Sequence, residues 1–150
     1  MKNIIFAALI VFCFITLGCS GKVKENAIEH FQDGGDGTVT DLTTGFIWQQ
    51  SDIKKNWETA NTYCEGLDHA NHQDWRLPSI EELKTIVMST KSTVMIDPIA
   101  FPDTKPSLYW SSTTFESNPS NAMIVDFSNG ESYSEEKGFK NYVRCVRQGQ

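Results

Sequence analysis

Three hydrophobic patterns follow one another along the chain. Ile4 to Leu17 is a run of fourteen residues with no charge, nearly all of them apolar. After a polar stretch, Thr38-Val39-Thr40 and Phe46-Ile47-Trp48-Gln49 are short runs rich in β-branched and aromatic residues, separated by the turn-forming Asp41-Leu42-Thr43-Thr44-Gly45, which predicts an opening β-hairpin. The period then lengthens. Trp57, Ala60, Cys64 and Leu67 recur at helical spacing behind Asn56, a good N-cap, and predict a first helix over 57–67. Ile80, Leu83, Ile86 and Val87 do the same behind Ser79, with Glu82 completing a capping box, and predict a second helix over 80–89. Pro98, Pro102 and Pro106 mark a long connection from Lys91 to Ser107. Strand patterns close the chain at Leu108–Thr113, Ala122–Phe127, Glu131–Ser134 and Tyr142–Arg147, and Asn129-Gly130 is a strong hairpin signal between the second and third. The order is a hairpin, two helices, a long loop and an antiparallel meander. That is an α+β arrangement, without the strand–helix alternation of a nucleotide-binding sheet.

The first apolar run sets the expected compartment. As a helix its fourteen residues would span about 21 Å, short of the hydrocarbon core of a bilayer, so it reads as a signal peptide. It ends Leu17-Gly18-Cys19-Ser20, which resembles a bacterial lipobox with Cys19 as the lipidated residue. Residues 1–18 are then a lipoprotein signal, 19–30 a lipidated tether, 31–147 the folded domain and 148–150 a tail. An exported protein held at the outer membrane or cell surface by acyl chains is the expectation.

Composition narrows the function classes. With 13 Lys+Arg against 19 Asp+Glu the formal charge is −6, which disfavours nucleic acid as a partner. Loss of the leader removes Lys2 and leaves the mature chain more acidic still. Cys13 lies in the leader and Cys19 would carry lipid, so Cys64 and Cys145 remain. In an oxidising compartment such a pair reads as one disulfide, the alternatives being a reactive thiol pair or buried free thiols. The basic concentration of the chain is Lys137, Lys140, Arg144 and Arg147, which reads either as a contact for a sulfated or phosphorylated polymer or as an ordinary solvated face. Trp110, beside a polar segment, is either a ligand anchor or a core residue. Asp33, Asp36 and Asp41 read as turn formers, His69 and His72 as a solvated loop, and Arg76 as the partner of a carboxylate, with Trp75 and Leu77 packing the core. No cofactor, metal site or catalytic constellation is indicated.

Gly35-Asp36-Gly37-Thr38-Val39-Thr40-Asp41, Asp74-Trp75-Arg76-Leu77-Pro78-Ser79, Tyr109-Trp110-Ser111-Ser112-Thr113, Val125-Asp126-Phe127 and Tyr142-Val143-Arg144-Cys145-Val146-Arg147 together resemble a bacterial domain of unknown function that also forms the C-terminal part of a collagen-like adhesin. The resemblance runs from Phe31 to Arg147. It implies a C-type lectin-like fold, in which a disulfide joins the first helix to the final strand, and a distant relation to formylglycine-generating sulfatase-modifying enzymes. The residues of calcium-dependent sugar binding in that fold are not matched by Trp110-Ser111-Ser112 or Ser117-Asn118-Pro119-Ser120. The resulting expectation is a non-catalytic binding or adhesion module with a glycan as candidate ligand. Its alternatives are an enzyme of the sulfatase-modifying type and a structural lipoprotein that docks with envelope proteins.

Overall fold

A computed structural model describes residues 30–88 and 94–149. The expected signal peptide, Cys19 and nearly all of the tether lie outside the described residues. Among the described residues, nine strands and two helices form a mostly β domain. In chain order these are β1 (Phe31–Asp33), β2 (Thr38–Asp41), β3 (Phe46–Gln49), β4 (Ile53–Lys55), α1 (Trp57–Glu65), α2 (Ile80–Thr85), β5 (Leu108–Thr114), β6 (Asn121–Asp126), β7 (Ser132–Glu136), β8 (Asn141–Val143) and β9 (Val146–Gln148). One sheet has the order β1-β2-β3-β9 and the other β4-β8-β5-β6-β7.

The caps form where local chemistry demands them. Asn56 accepts from Thr59 N at 3.0 Å to start α1, and Gly66 ends it two residues before the expected limit, donating to Thr62 O. Ser79 and Glu82 form the reciprocal capping box of α2. That helix stops at Thr85, because the next residues turn to pair elsewhere and Met88 N donates to Met95 O. The Asn129-Gly130 turn joins β6 to β7, with Gly130 at φ +79°.

Two expectations about the strands need correction. The predicted strand Tyr142–Arg147 is two strands: β8 lies in the five-stranded sheet, β9 in the four-stranded one, and Arg144 and Cys145 are the crossing between them. The meander is also not wholly antiparallel, since β8 returns past β7 and β6 to pair parallel with β5, Tyr109 opposite Tyr142. In that place β8 also pairs antiparallel with β4 on its other side and satisfies the inward backbone groups of both strands.

The central strands β5 and β6 of the five-stranded sheet carry buried residues on both faces. Tyr109 and Val125 pack with Val39, Trp48, Leu83, Phe101 and Phe127, whereas their neighbours Trp110 and Ile124 pack with Ala60, Trp75 and Val143. The alternation of strand side chains divides one run of residues between two cores. The Cys64–Cys145 disulfide is present in the second, both residues fully buried and their Cα atoms 5.5 Å apart across a separation of 81 positions. It ties α1 to the crossing between the sheets.

Arg76 makes paired 2.6 Å bonds to both oxygens of Glu82, on the solvent side of α2. The guanidinium beside it, with the Ser79 N–H, holds the Glu82 carboxyl below its ordinary value. A carboxylate whose folded pKa is depressed stabilises the fold above its unfolded value, near 4.5, and loses that contribution as pH falls through the folded value. Because Arg76 is 44% exposed, screening limits the effect to about 1 kcal/mol. The expected result is that Glu82→Gln lowers stability at neutral pH and flattens its decline below pH 4.5, measured by urea titration; identical acid limbs for both proteins would contradict it.

Candidate functional site

The residues singled out from sequence do not share one surface. Trp110 is fully buried, its indole N–H donating to Lys55 O at 3.0 Å, so it is a core residue and not an anchor. Arg144, 1% exposed, donates to Gln49 O, Gln50 O and Thr104 Oγ1. Arg147, 4% exposed, grips both oxygens of Asp74 at 2.8 and 3.2 Å and holds that carboxyl below its ordinary value. The two arginines therefore leave the proposed basic face, because each has been desolvated against acceptors far away in sequence. Lys137 and Lys140 remain at the surface.

The structure gives these two lysines new neighbours. In β4, Lys54 stands opposite Tyr142 and Lys55 opposite Asn141, the residue that follows Lys140. Trp57 N, at the start of α1, donates to Lys137 O at 3.1 Å and pins the β7–β8 turn beside β4. Four lysines thus lie along β4 and the β7–β8 turn beside it, with Lys54 and Lys55 on opposite faces of the sheet. Each of three is set over an aromatic ring: Lys54 Nζ lies 5.4 Å from the Tyr142 centroid, Lys55 Nζ 5.8 Å from Tyr63, and Lys137 Nζ 4.0 Å from Trp57. Lys137 also donates to Thr114 Oγ1 at 3.0 Å. Phe139, 56% exposed, adds a fourth ring to the turn. None of the four ammonium groups is within ion-pair distance of a carboxylate among the described residues. Sequence reasoning missed Lys54 and Lys55 because β4 is only three residues long and sits between a turn and a helix cap. The adjacent pair of lysines between apolar Ile53 and Trp57 was the one available signal.

The other candidates serve the fold. Asp33 accepts from Gly35 N, Asp36 from Thr38 N and Oγ1, and Asp41 from Thr43 N and Thr44 Oγ1, each closing its own turn. His69 and His72 exchange backbone hydrogen bonds of 3.1 and 3.0 Å around Ala70 and Asn71, both at positive φ. His69 further lies 5.8 Å from the Trp75 ring and 3.1 Å from Gly37 O, so that loop is docked on the domain. Trp75 and Leu77 are core residues, as expected.

Residues 37–147 match the model of the Lcl C-terminal domain, about three quarters of the chain. The chain belongs to the Lcl C-terminal domain family. This family is the C-terminal domain of a collagen-like adhesin, which agrees with the resemblance read from the motifs. No curated protein matches the chain. The family match begins at Gly37, so β1 lies outside it although β1 pairs in register with β2. It takes in all four lysines, the disulfide and the Arg144 crossing. An adhesin-type domain of the Lcl kind suggests a surface-exposed or exported protein, and no helix among the described residues is long and apolar enough to cross a membrane.

Proposed function

We propose that this chain is an exported, lipid-anchored envelope protein whose Lcl C-terminal domain is a non-catalytic binding module, with sulfated or phosphorylated glycans as the ligand class. The observation that carries the reading is the lysine edge: four ammonium groups without carboxylate partners, interleaved with aromatic rings, on a protein that is acidic overall. A basic sheet edge on an acidic body concentrates anionic ligand along that edge. The rings add apolar area beside the charge, the combination that makes Trp and Tyr effective in contact surfaces. The disulfide between α1 and the crossing to the last strand supports a C-type lectin-like arrangement. It also engages both described cysteines with each other, which speaks for binding over sulfatase-modifying chemistry.

The test is binding of the mature chain to neutral and sulfated glycans, in calcium and in chelator. Sulfated glycans should bind selectively, equally with and without calcium, and less tightly as salt rises. Lys54→Glu combined with Lys140→Glu should weaken binding tenfold or more. Equal binding of neutral and sulfated glycans, or an unchanged affinity in that variant, would remove the lysine edge as the site.

A further inference from the structure

We propose that the five-stranded sheet continues from one copy of this chain into the next, the β7 edge of one molecule pairing with the β4 edge of its neighbour. β4 and β7 are the two ends of that sheet. The direction of their main-chain groups follows from the ladder. Asp126 N donates to Glu131 O and Lys137 N to Ser120 O, so the odd-numbered positions of β7 turn their backbone toward β6. Ser132, Ser134 and Glu136 then turn theirs outward. On the far side, Phe127 N donates to Ser107 O, which sets the odd positions of β6, and with them Tyr109, into the β5–β6 ladder. Tyr142, the parallel partner of Tyr109, must therefore face β5, and Asn141 and Val143 face β4. That leaves Lys54 with its N–H and C=O directed away from the sheet.

Strand direction and side-chain facing agree with this contact. Through the successive pairings β4 runs opposite to β7, so a neighbour in the same orientation brings its β4 antiparallel to β7. Glu136 lies on the face of Val125, and Lys54 on the face of Tyr142; both belong to the first core's side of the sheet. Glu135 stands opposite Ala122, and Lys55 follows the face of Ile53 and Val143, the second core's side. One antiparallel register thus sets Lys54 against Glu136 on one face and Lys55 against Glu135 on the other. Each edge carries two adjacent like charges, one per face, and the two edges are opposite in sign. Two β7 edges would confront acid with acid, and two β4 edges base with base, so the contact is head-to-tail. Glu135 Oε1 now accepts from Glu136 N at 3.0 Å; turning it to the neighbour's lysine releases that N–H for the carbonyl of Lys54. The edges are short, so the contact is weak between free molecules and gains from crowding on a surface.

Sedimentation velocity of the full-length mature chain carrying Cys19→Ser, and so free of acyl chains, tests this. The mean mass should rise with concentration without stopping at a dimer, and fall at high salt. Reversing either edge, Glu135→Lys with Glu136→Lys or Lys54→Glu with Lys55→Glu, should weaken association about tenfold or more. Mixing those two folded variants should restore it, because every edge again meets its opposite. Ser134→Pro removes an outward N–H and leaves the β6 ladder intact, so it should abolish association yet retain glycan binding. That separates this inference from the ligand assignment, which would fail in the glycan measurement alone. A monomer at every concentration, association indifferent to reversal of both edges, or charge-reversed variants that stay apart when mixed would overturn it.

Discussion

Arg144→Met is expected to cost about 3–5 kcal/mol of folding free energy, the scale for breaking a buried ion pair from one side. The Arg144 side chain is 0% exposed and its partner Asp52 is 8% exposed, with N···O at 3.5 Å. The guanidinium lies over the rings of Phe101 and Tyr109, at 4.5 and 6.0 Å from their centroids. It satisfies the carbonyls of Gln49 and Gln50 and the hydroxyl of Thr104. Tyr109 completes the group, donating to Asp52 at 2.5 Å and accepting from Lys105 N, and burial pushes its hydroxyl well above the ordinary value. Methionine fills the stem of the arginine but strands a carboxylate and three acceptors. Adding Asp52→Asn should return about 1–2 kcal/mol, since it removes the charge and leaves the carbonyls without a donor. Equilibrium urea unfolding of the two variants measures both terms. A loss under 1 kcal/mol for Arg144→Met would show that water replaces the guanidinium and that the arginine does not hold the crossing.

The same residue shows where the sequence stops being legible. Asn56, Ser79, Glu82 and Asn129-Gly130 act on groups within a few positions of themselves, and each forms the cap or turn its neighbourhood predicts. Arg144 acts on groups 40, 94 and 95 positions away, and nothing beside it in sequence marks it as buried. Read as one strand, Tyr142 to Arg147 alternates without a clear inside, and the change of sheet after Val143 is visible only once β4 and β3 are in place to receive the two halves. The lysine edge was half legible for a related reason. Lys137 and Lys140 stand out as charges, but Lys54 and Lys55 join them only because β4 pairs with β8 across the whole domain. Family motifs carry the long-range information that periodicity lacks, above all the pairing of Cys64 with Cys145, to which the count of cysteines points as well.

The second large effect is expected from that pair. Cys64→Ala with Cys145→Ala should lose about 2–5 kcal/mol, with roughly 4.5 kcal/mol as the chain-entropy value for a closed loop of this length. Position argues for the upper part of the range. Cys64 sits on the inner face of α1 near its Gly66 cap, and Cys145 at the point where the chain leaves one sheet for the other. Its neighbour Val146 exchanges two 2.9 Å backbone bonds with Arg76, so the crossing is held from a third direction as well. Both cysteines have 0% exposure, and a reductant therefore reaches the sulfurs only when this region opens. Reduction by dithiothreitol under native conditions should follow the opening rate and accelerate with sub-denaturing urea, read by thiol labelling and mass spectrometry. Fast reduction in native buffer would show that the crossing opens locally. Arg144 and Cys145 are adjacent, so their losses should not add: the triple variant should be destabilised by less than the sum of the Arg144→Met and double-alanine values, because the same crossing can be lost only once.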